Sequence, residues 1–145
     1  MNFDCFQFNE RYDDGKLIED IETADCIILG PSRVGKTPLC YYLGYLGIQA
    51  ANIPLVPEIP WNRKLADLPR KKIIGLIRKP ESLVQIRKTR EQFLGLESNY
   101  GSLERVFSEL EYVQDIYHQL RIAILSMDDY SIEEAAEFIK NRIGK

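Results

Sequence analysis

The chain has 145 residues, of which 45% are hydrophobic and 28% charged, and a formal net charge of −3. That is the size and composition of one soluble globular domain with a core of its own. The negative balance argues against general nucleic-acid binding, which needs a basic footprint, and no apolar run reaches membrane-spanning length.

Residues 1–23 are acidic and weakly patterned. Met1-Asn2-Phe3-Asp4 lacks the basic and apolar regions of a signal peptide. Phe3, Phe6 and Phe8 suggest a short strand or an apolar anchor. Tyr12-Asp13-Asp14-Gly15 reads as a turn, with the two aspartates either solvated or forming a carboxylate pair near an active site. Leu17, Ile18 and Ile21 suit one side of a short helix. Asp25 to Leu29 is the first predicted strand. It is apolar on both faces, as at the centre of a parallel sheet.

Gly30-Pro31-Ser32-Arg33-Val34-Gly35-Lys36-Thr37 follows, and it reads G-x-x-x-x-G-K-T, the phosphate-binding loop pattern. An apolar strand before it and a helix over Leu39 to Leu46 after it supply the context such a loop needs. Glycines let backbone N–H groups approach phosphate oxygens, and the helix start presents a positive dipole end. Lys36 is expected on the distal phosphates and the Thr37 hydroxyl on magnesium. The bland alternative is a glycine turn that only links a strand to a helix. Two prolines complicate the loop. Pro38 pushes Thr37 away from helical geometry, although proline itself is tolerated in a first turn.

Gly47 suits the position just past a helix end, and a second strand lies within Ile48 to Val56. Pro54, Pro57 and Pro60 then impose an extended path to Trp61, a packing anchor or a platform for a base. Ile73 to Ile77 is the third strand, and Pro80 opens a helix. Leu83, Ile86, Phe93 and Leu94 share one side of that helix, and Arg87 and Arg90 share another. Arg78 and Lys79 sit at the carboxyl end of the third strand, where open α/β sheets bind ligands. Arg78, Arg87 and Arg90 are therefore candidate phosphate contacts, weighed against a solvated basic face.

Ser102 begins a helix in which Leu103, Val106, Phe107, Leu110, Val113, Ile116, Tyr117 and Leu120 recur at helical spacing. Its start, Ser-Leu-Glu-Arg, only loosely resembles a cap. His118, the single histidine, reads as a surface residue near the helix end. Arg121 to Met127 is the fourth strand. Asp128 and Asp129 follow it as a turn, or as carboxylates acting on magnesium or a nucleophile. Ser131-Ile132-Glu133-Glu134 is a capping box that opens the last helix, to about Arg142. The element order predicts an α/β fold, a P-loop-type parallel sheet of about four strands with helices on both faces. Residues 24–145 form one P-loop kinase-like domain after an N-terminal segment, 1–23. The cysteines, Cys5, Cys26 and Cys40, lack C-x-x-C spacing, so no structural zinc is expected, and their odd number suits a reducing cytoplasm.

Leu29-Gly-Pro-Ser-Arg-Val-Gly-Lys-Thr-Pro-Leu39 and Ala50-Ala-Asn-Ile-Pro-Leu-Val-Pro-Glu58 resemble the regulatory proteins of pyruvate, phosphate dikinase and phosphoenolpyruvate synthetase. That family carries a G-x-S-R-T-x-K-T-P loop followed by A-N-x-P-L-V-P. The similarity continues at Pro80-Glu81, Ile86-Arg87 with Arg90, Ser98-Asn-Tyr100, Glu109-Leu-Glu111 and Ser131 to Glu134, and Tyr12 to Gly15 resembles an H-D-D-G turn. The resemblance implies a bifunctional enzyme. It would use ADP to phosphorylate a threonine of the dikinase or synthetase and remove that phosphate with inorganic phosphate, releasing pyrophosphate. Residues 30–37 would be the ADP site, with Lys36 and Arg33 catalytic and the Thr-Pro pair a family feature. A homo-oligomer is a candidate state.

The chain also departs from the family pattern. Members are about twice this length, so residues 1–23 would be the remnant of a junction to a missing N-terminal domain. Val34-Gly35 stands where many members have Thr-Ser or Thr-Gly, and Tyr12 replaces the histidine of the upstream turn. Lys79 stands where an acidic or amide residue is common, and Ser126 to Asp129 departs from a D-V-T-N-like end. The alternative is a truncated, catalytically weak nucleotide-binding module that regulates a partner.

Overall fold

The computed structural model describes residues 21–95 and 100–145, and of Phe93 and Leu94 the backbone alone. The expectations for Phe3, Phe6 and Phe8, for Tyr12 to Gly15, for Leu17 and Ile18, for Cys5, and for Ser98 and Asn99 lie outside the described residues.

The elements are β1 (Cys26–Gly30), α1 (Lys36–Tyr45), β2 (Ala50–Pro54), β3 (Ile73–Ile77), α2 (Pro80–Leu94), α3 (Leu103–Leu120), β4 (Ala123–Ser126) and α4 (Ile132–Ile143). The four strands form one parallel sheet in the order β2-β1-β3-β4. This is the expected α/β class. Side chains alternate along each strand, so a strand apolar throughout needs a core on each face. Ile27 and Leu29 of β1 pack on one face with Leu83, Val113 and Tyr117 from α2 and α3. Cys26 and Ile28 pack on the other with Leu39 and Leu43 of α1 and Ala136 and Ile139 of α4. Trp61 is half-buried against the α3-side core, with the Arg63 guanidinium 4.0 Å from its ring centroid, which makes it a packing anchor. Among the described residues no helix is long and apolar enough to cross a membrane.

Element ends differ from the predicted ones for local reasons. α1 starts at Lys36, three residues before the predicted Leu39, so Thr37 and Pro38 lie in its first turn. Proline removes no helical hydrogen bond there. Ser102 is a working cap, because its Oγ accepts the Arg105 N–H at 3.1 Å. Arg121 closes α3 in the left-handed conformation with φ 55°, so β4 begins only at Ala123. The capping box at Ser131 and Glu134 is present as read.

β1 feeds α1 and β2 on one side of the sheet, and β3 feeds α2, α3 and β4 on the other. Neighbouring strands with opposite connections leave a crevice at their carboxyl ends. The β1–β3 ladder ends at the Leu29–Gly75 pair, after which Gly30 pairs with Pro54 and Ile77 with Ser126. Tyr117 of α3 stands at this fork. Its buried hydroxyl donates to the Leu76 carbonyl at 2.8 Å and to the Leu29 carbonyl at 3.1 Å. Burial pushes the phenol pKa well up, so it remains a neutral donor at physiological pH. The ring needs a glycine beneath it, because a Cβ on Gly75 would lie 2.6 Å from Tyr117 Cζ. Neither the central strand nor the ring has room to yield. Gly75→Ala is therefore expected to destabilise the fold by about 2–3 kcal/mol, the upper range for overpacking, read as a lower midpoint in urea unfolding.

Candidate functional site

The Gly30–Thr37 segment leaves β1 at this crevice and turns into α1. Two residues take positive φ, Arg33 at 68° and Gly35 at 113°. The Gly35 value is open to glycine and hardly to other residues. Gly35 is also the N-cap of α1 and carries no side-chain cap, so the positive end of the helix opens outward. Lys36 is buried and its Nζ donates to the Pro31 carbonyl at 3.0 Å. The Arg78 side chain donates from Nε to the Val34 carbonyl at 3.1 Å and from Nη1 to the Met127 carbonyl at 3.2 Å. Asn52, wholly buried on β2, donates to the Thr37 hydroxyl at 3.0 Å.

These residues bound a cleft of about 540 Å³. Ser32, Arg33, Gly35, Lys36, Thr37 and Arg78 line it, with Pro38, Pro54 and Ile86 completing its walls. Among the described residues, three lining side chains are cationic and none is a carboxylate. A second cleft of about 460 Å³ lies beside β4 and shares Arg78 with the first. Its lining includes Lys79, Phe107, Asp115 and His118.

The structure sorts the other candidates. Arg87 is 0% exposed, and its guanidinium is held by Glu109, the Tyr100 carbonyl and the Ser32 carbonyl, so it is turned to protein groups rather than to the cleft. Arg90 is exposed and is not among the cleft-lining residues. His118 is exposed near the end of α3. Asp128 belongs to the turn after β4, where its carboxylate accepts the Lys79 N–H at the start of α2 and pairs with Arg78 at 3.7 Å. Cys26 and Cys40 are buried, and burial with the neighbouring Cys40 and Asp25 pushes the Cys26 thiol well up, away from nucleophile chemistry.

Asn52, Tyr100, Glu109 and Tyr117 touch the loop or its supports; the first three enter the sequence reading only as letters of the family resemblance, and Tyr117 only as one of the apolar positions at helical spacing. Glu109 left one legible signal. It shares the α3 face of Val106, Val113 and Ile116, where a charge needs a buried partner.

Partial burial works to raise the Asp128 carboxyl pKa, but the Lys79 N–H, the Ser82 hydroxyl and the charges of Arg78 and Lys79 hold it below its ordinary 3.8. A depressed carboxylate stabilises the fold above the unfolded value and loses that contribution as pH falls through the folded one. Asp128→Asn is expected to cost about 1 kcal/mol or less at pH 7, the scale of a helix cap on a partly exposed group. The gap between variant and wild type should shrink below pH 3.8, as urea titrations at pH 7 and pH 3 would show.

The model of a family described as kinase/pyrophosphorylase matches residues 2–139. A protein of Alkaliphilus oremlandii, provisionally named a pyruvate, phosphate dikinase regulatory protein, is 42% identical over 138 residues, covering 94% of this chain and 50% of the relative. Similarly named proteins of Staphylococcus epidermidis and Clostridioides difficile are 40% and 42% identical, covering 98% and 94% of this chain and 53% and 49% of their own lengths. The chain thus spans about half the length of the curated relatives it matches. On this evidence the chain belongs to the kinase/pyrophosphorylase family.

Proposed function

We propose that the 540 Å³ cleft binds ADP and that the chain is a cytoplasmic phosphotransferase acting on pyruvate, phosphate dikinase or phosphoenolpyruvate synthetase. The observation that carries this reading is the cleft's lining, with Arg33, Lys36 and Arg78 around a glycine loop at an uncapped helix start and, among the described residues, no carboxylate in the lining itself. Such a site suits a polyanion. The relatives' names support the dikinase as target, and the synthetase rests on the sequence resemblance alone.

In the forward reaction a threonine oxygen of the target attacks the β-phosphorus of ADP, and the hydroxyl proton is released to water. The bond to the bridging oxygen breaks, and AMP leaves with that oxygen. In the reverse reaction an oxygen of inorganic phosphate attacks the phosphothreonine phosphorus. Pyrophosphate forms and the threonine hydroxyl is restored with a proton. Both directions depend on positioning and charge stabilisation more than on covalent chemistry. Lys36 gives up the Pro31 carbonyl for the β-phosphoryl oxygens, and Arg33 and Arg78 flank the charge that spreads during transfer. The second cleft meets the first at Arg78 and offers the acceptor segment its approach.

Magnesium fits the site in a limited way. Among the described residues no group of three or more His, Cys, Asp or Glu side chains could hold a metal. Thr37 is the candidate protein ligand, its hydroxyl oriented by Asn52. Nucleotide oxygens and water would supply the other ligands, as magnesium at phosphate sites prefers. When bound, the ion neutralises phosphate charge.

A specific observation favours a second reading, a catalytically weak nucleotide-binding module. Among the described residues, no lining residue of the cleft is an aspartate, glutamate or histidine able to take the threonine proton.

Two measurements test the proposal. Lys36→Ala is expected to weaken ADP binding by roughly 10–100-fold in calorimetry, the worth of a charge-assisted hydrogen bond; unchanged affinity would overturn the loop assignment. Incubation with ADP and the dikinase should give a phosphothreonine by mass spectrometry. ADP binding without transfer would select the module.

A further inference from the structure

Three carbonyls of the loop accept hydrogen bonds from cationic side chains: Pro31 from Lys36, Ser32 from Arg87 and Val34 from Arg78. Two of them bracket Arg33, whose φ of 68° an L-residue adopts only under constraint. A trans peptide points its N–H opposite its carbonyl, so fixing the Ser32 carbonyl on Arg87 also fixes the Arg33 N–H on the far side.

Arg87 is itself immobilised. Its Nη1 bonds the Glu109 carboxylate and, at 3.2 Å, the Tyr100 carbonyl, and its guanidinium carbon lies 4.5 Å from the Tyr100 ring centroid. The Tyr100 hydroxyl in turn hydrogen-bonds Ser32 Oγ. Glu109 is also 3.5 Å from Arg105 Nε, and Arg105 pairs with Glu58 beyond β2. A buried ion pair seldom adds net stability over apolar residues of similar volume. The one bond from this pair that reaches the loop backbone is Arg87 Nη2 to the Ser32 carbonyl, at 2.9 Å.

We propose that Arg87, held by Glu109 and Tyr100, is a positioning residue that sets the backbone of the loop at Ser32 and Arg33 for phosphate binding. The binding half of this proposal rests on the ADP reading above. The pair transmits the placement of α3 to the loop and does not touch the nucleotide.

The test uses Arg87→Met together with Glu109→Leu, which removes both buried charges and leaves neither unpaired. In the ligand-free chain, hydrogen exchange of the amides of residues 32–37 is expected to speed up by about tenfold, and ADP affinity to fall by about tenfold or more, the scale on which outer-shell partners act elsewhere. The thermal midpoint should stay within a few degrees of wild type, on the order of the shift from a modest stability change. Ile139→Val, on the opposite face of the sheet, lowers stability and should leave loop exchange and affinity alone. If the double variant fails to fold, Arg87→Lys is read in the same way, since a lysine can neutralise Glu109 but lacks the fork that also reaches Ser32.

A folded variant with wild-type loop exchange and wild-type ADP affinity would overturn the proposal. Faster exchange in a chain whose wild-type form binds no ADP would leave the positioning role standing and sink the nucleotide reading. Intact wild-type binding, lost in Lys36→Ala but unchanged in the double variant, would do the reverse.

Discussion

The fork between β1 and β3 is the constraint on which the rest of this molecule depends. Both strands are buried on both faces, so neither can swing aside when their ladder ends at Leu29 and Gly75. The carbonyls of Leu29 and Leu76 turn up inside the protein, and Tyr117 reaches from α3 to meet them. That one hydroxyl ties the helix to the point where the chain leaves the sheet for the 30–37 loop. Its ring sets the residue beneath it, since only glycine leaves the space. The crevice therefore opens at a place that packing has already made rigid.

Electrostatics then grades the cations from the interior to the cleft. Arg87 faces inward, wholly enclosed, and Arg33 lies on the surface of the cleft. Lys36 and Arg78 stand between, each bonded to a loop carbonyl and each lining the cleft. β2 and the segment that follows it serve the same end. Asn52 holds the Thr37 hydroxyl, and Glu58 holds Arg105 beside Glu109. The two stretches that carry the family resemblance, 29–39 and 50–58, are thus joined by hydrogen bonds as well as by strand pairing.

Periodicity made the sheet and its helices legible. The run Cys26-Ile-Ile-Leu29 announced a strand covered on both sides, and the spacing from Val106 to Leu120 announced the helix that covers one of them. The glycines and lysine of the loop marked the crevice. Arg87 shows where such reading stops. Spacing put it on a helix face with Arg90, yet burial depends on what α3 and the loop present to that face. A lone arginine in a pattern does not carry that information. Glu109 was legible as an anomaly on an apolar face and as a letter in the resemblance, and Asn52 only as a letter in a motif. Their meaning lies in atoms brought together from positions 15 and 22 residues away in sequence.

Arg33 carries a consequence for how this chain can evolve or be engineered. A left-handed backbone costs an L-residue roughly 1–2 kcal/mol relative to the regions it prefers, and glycine escapes that cost. Position 33 holds the bulkiest cation instead, with φ at 68°. The loop is therefore not at its stability optimum. Selection of this chain for heat tolerance alone would favour glycine at 33, a gain in melting temperature reached by erasing a cation from the cleft.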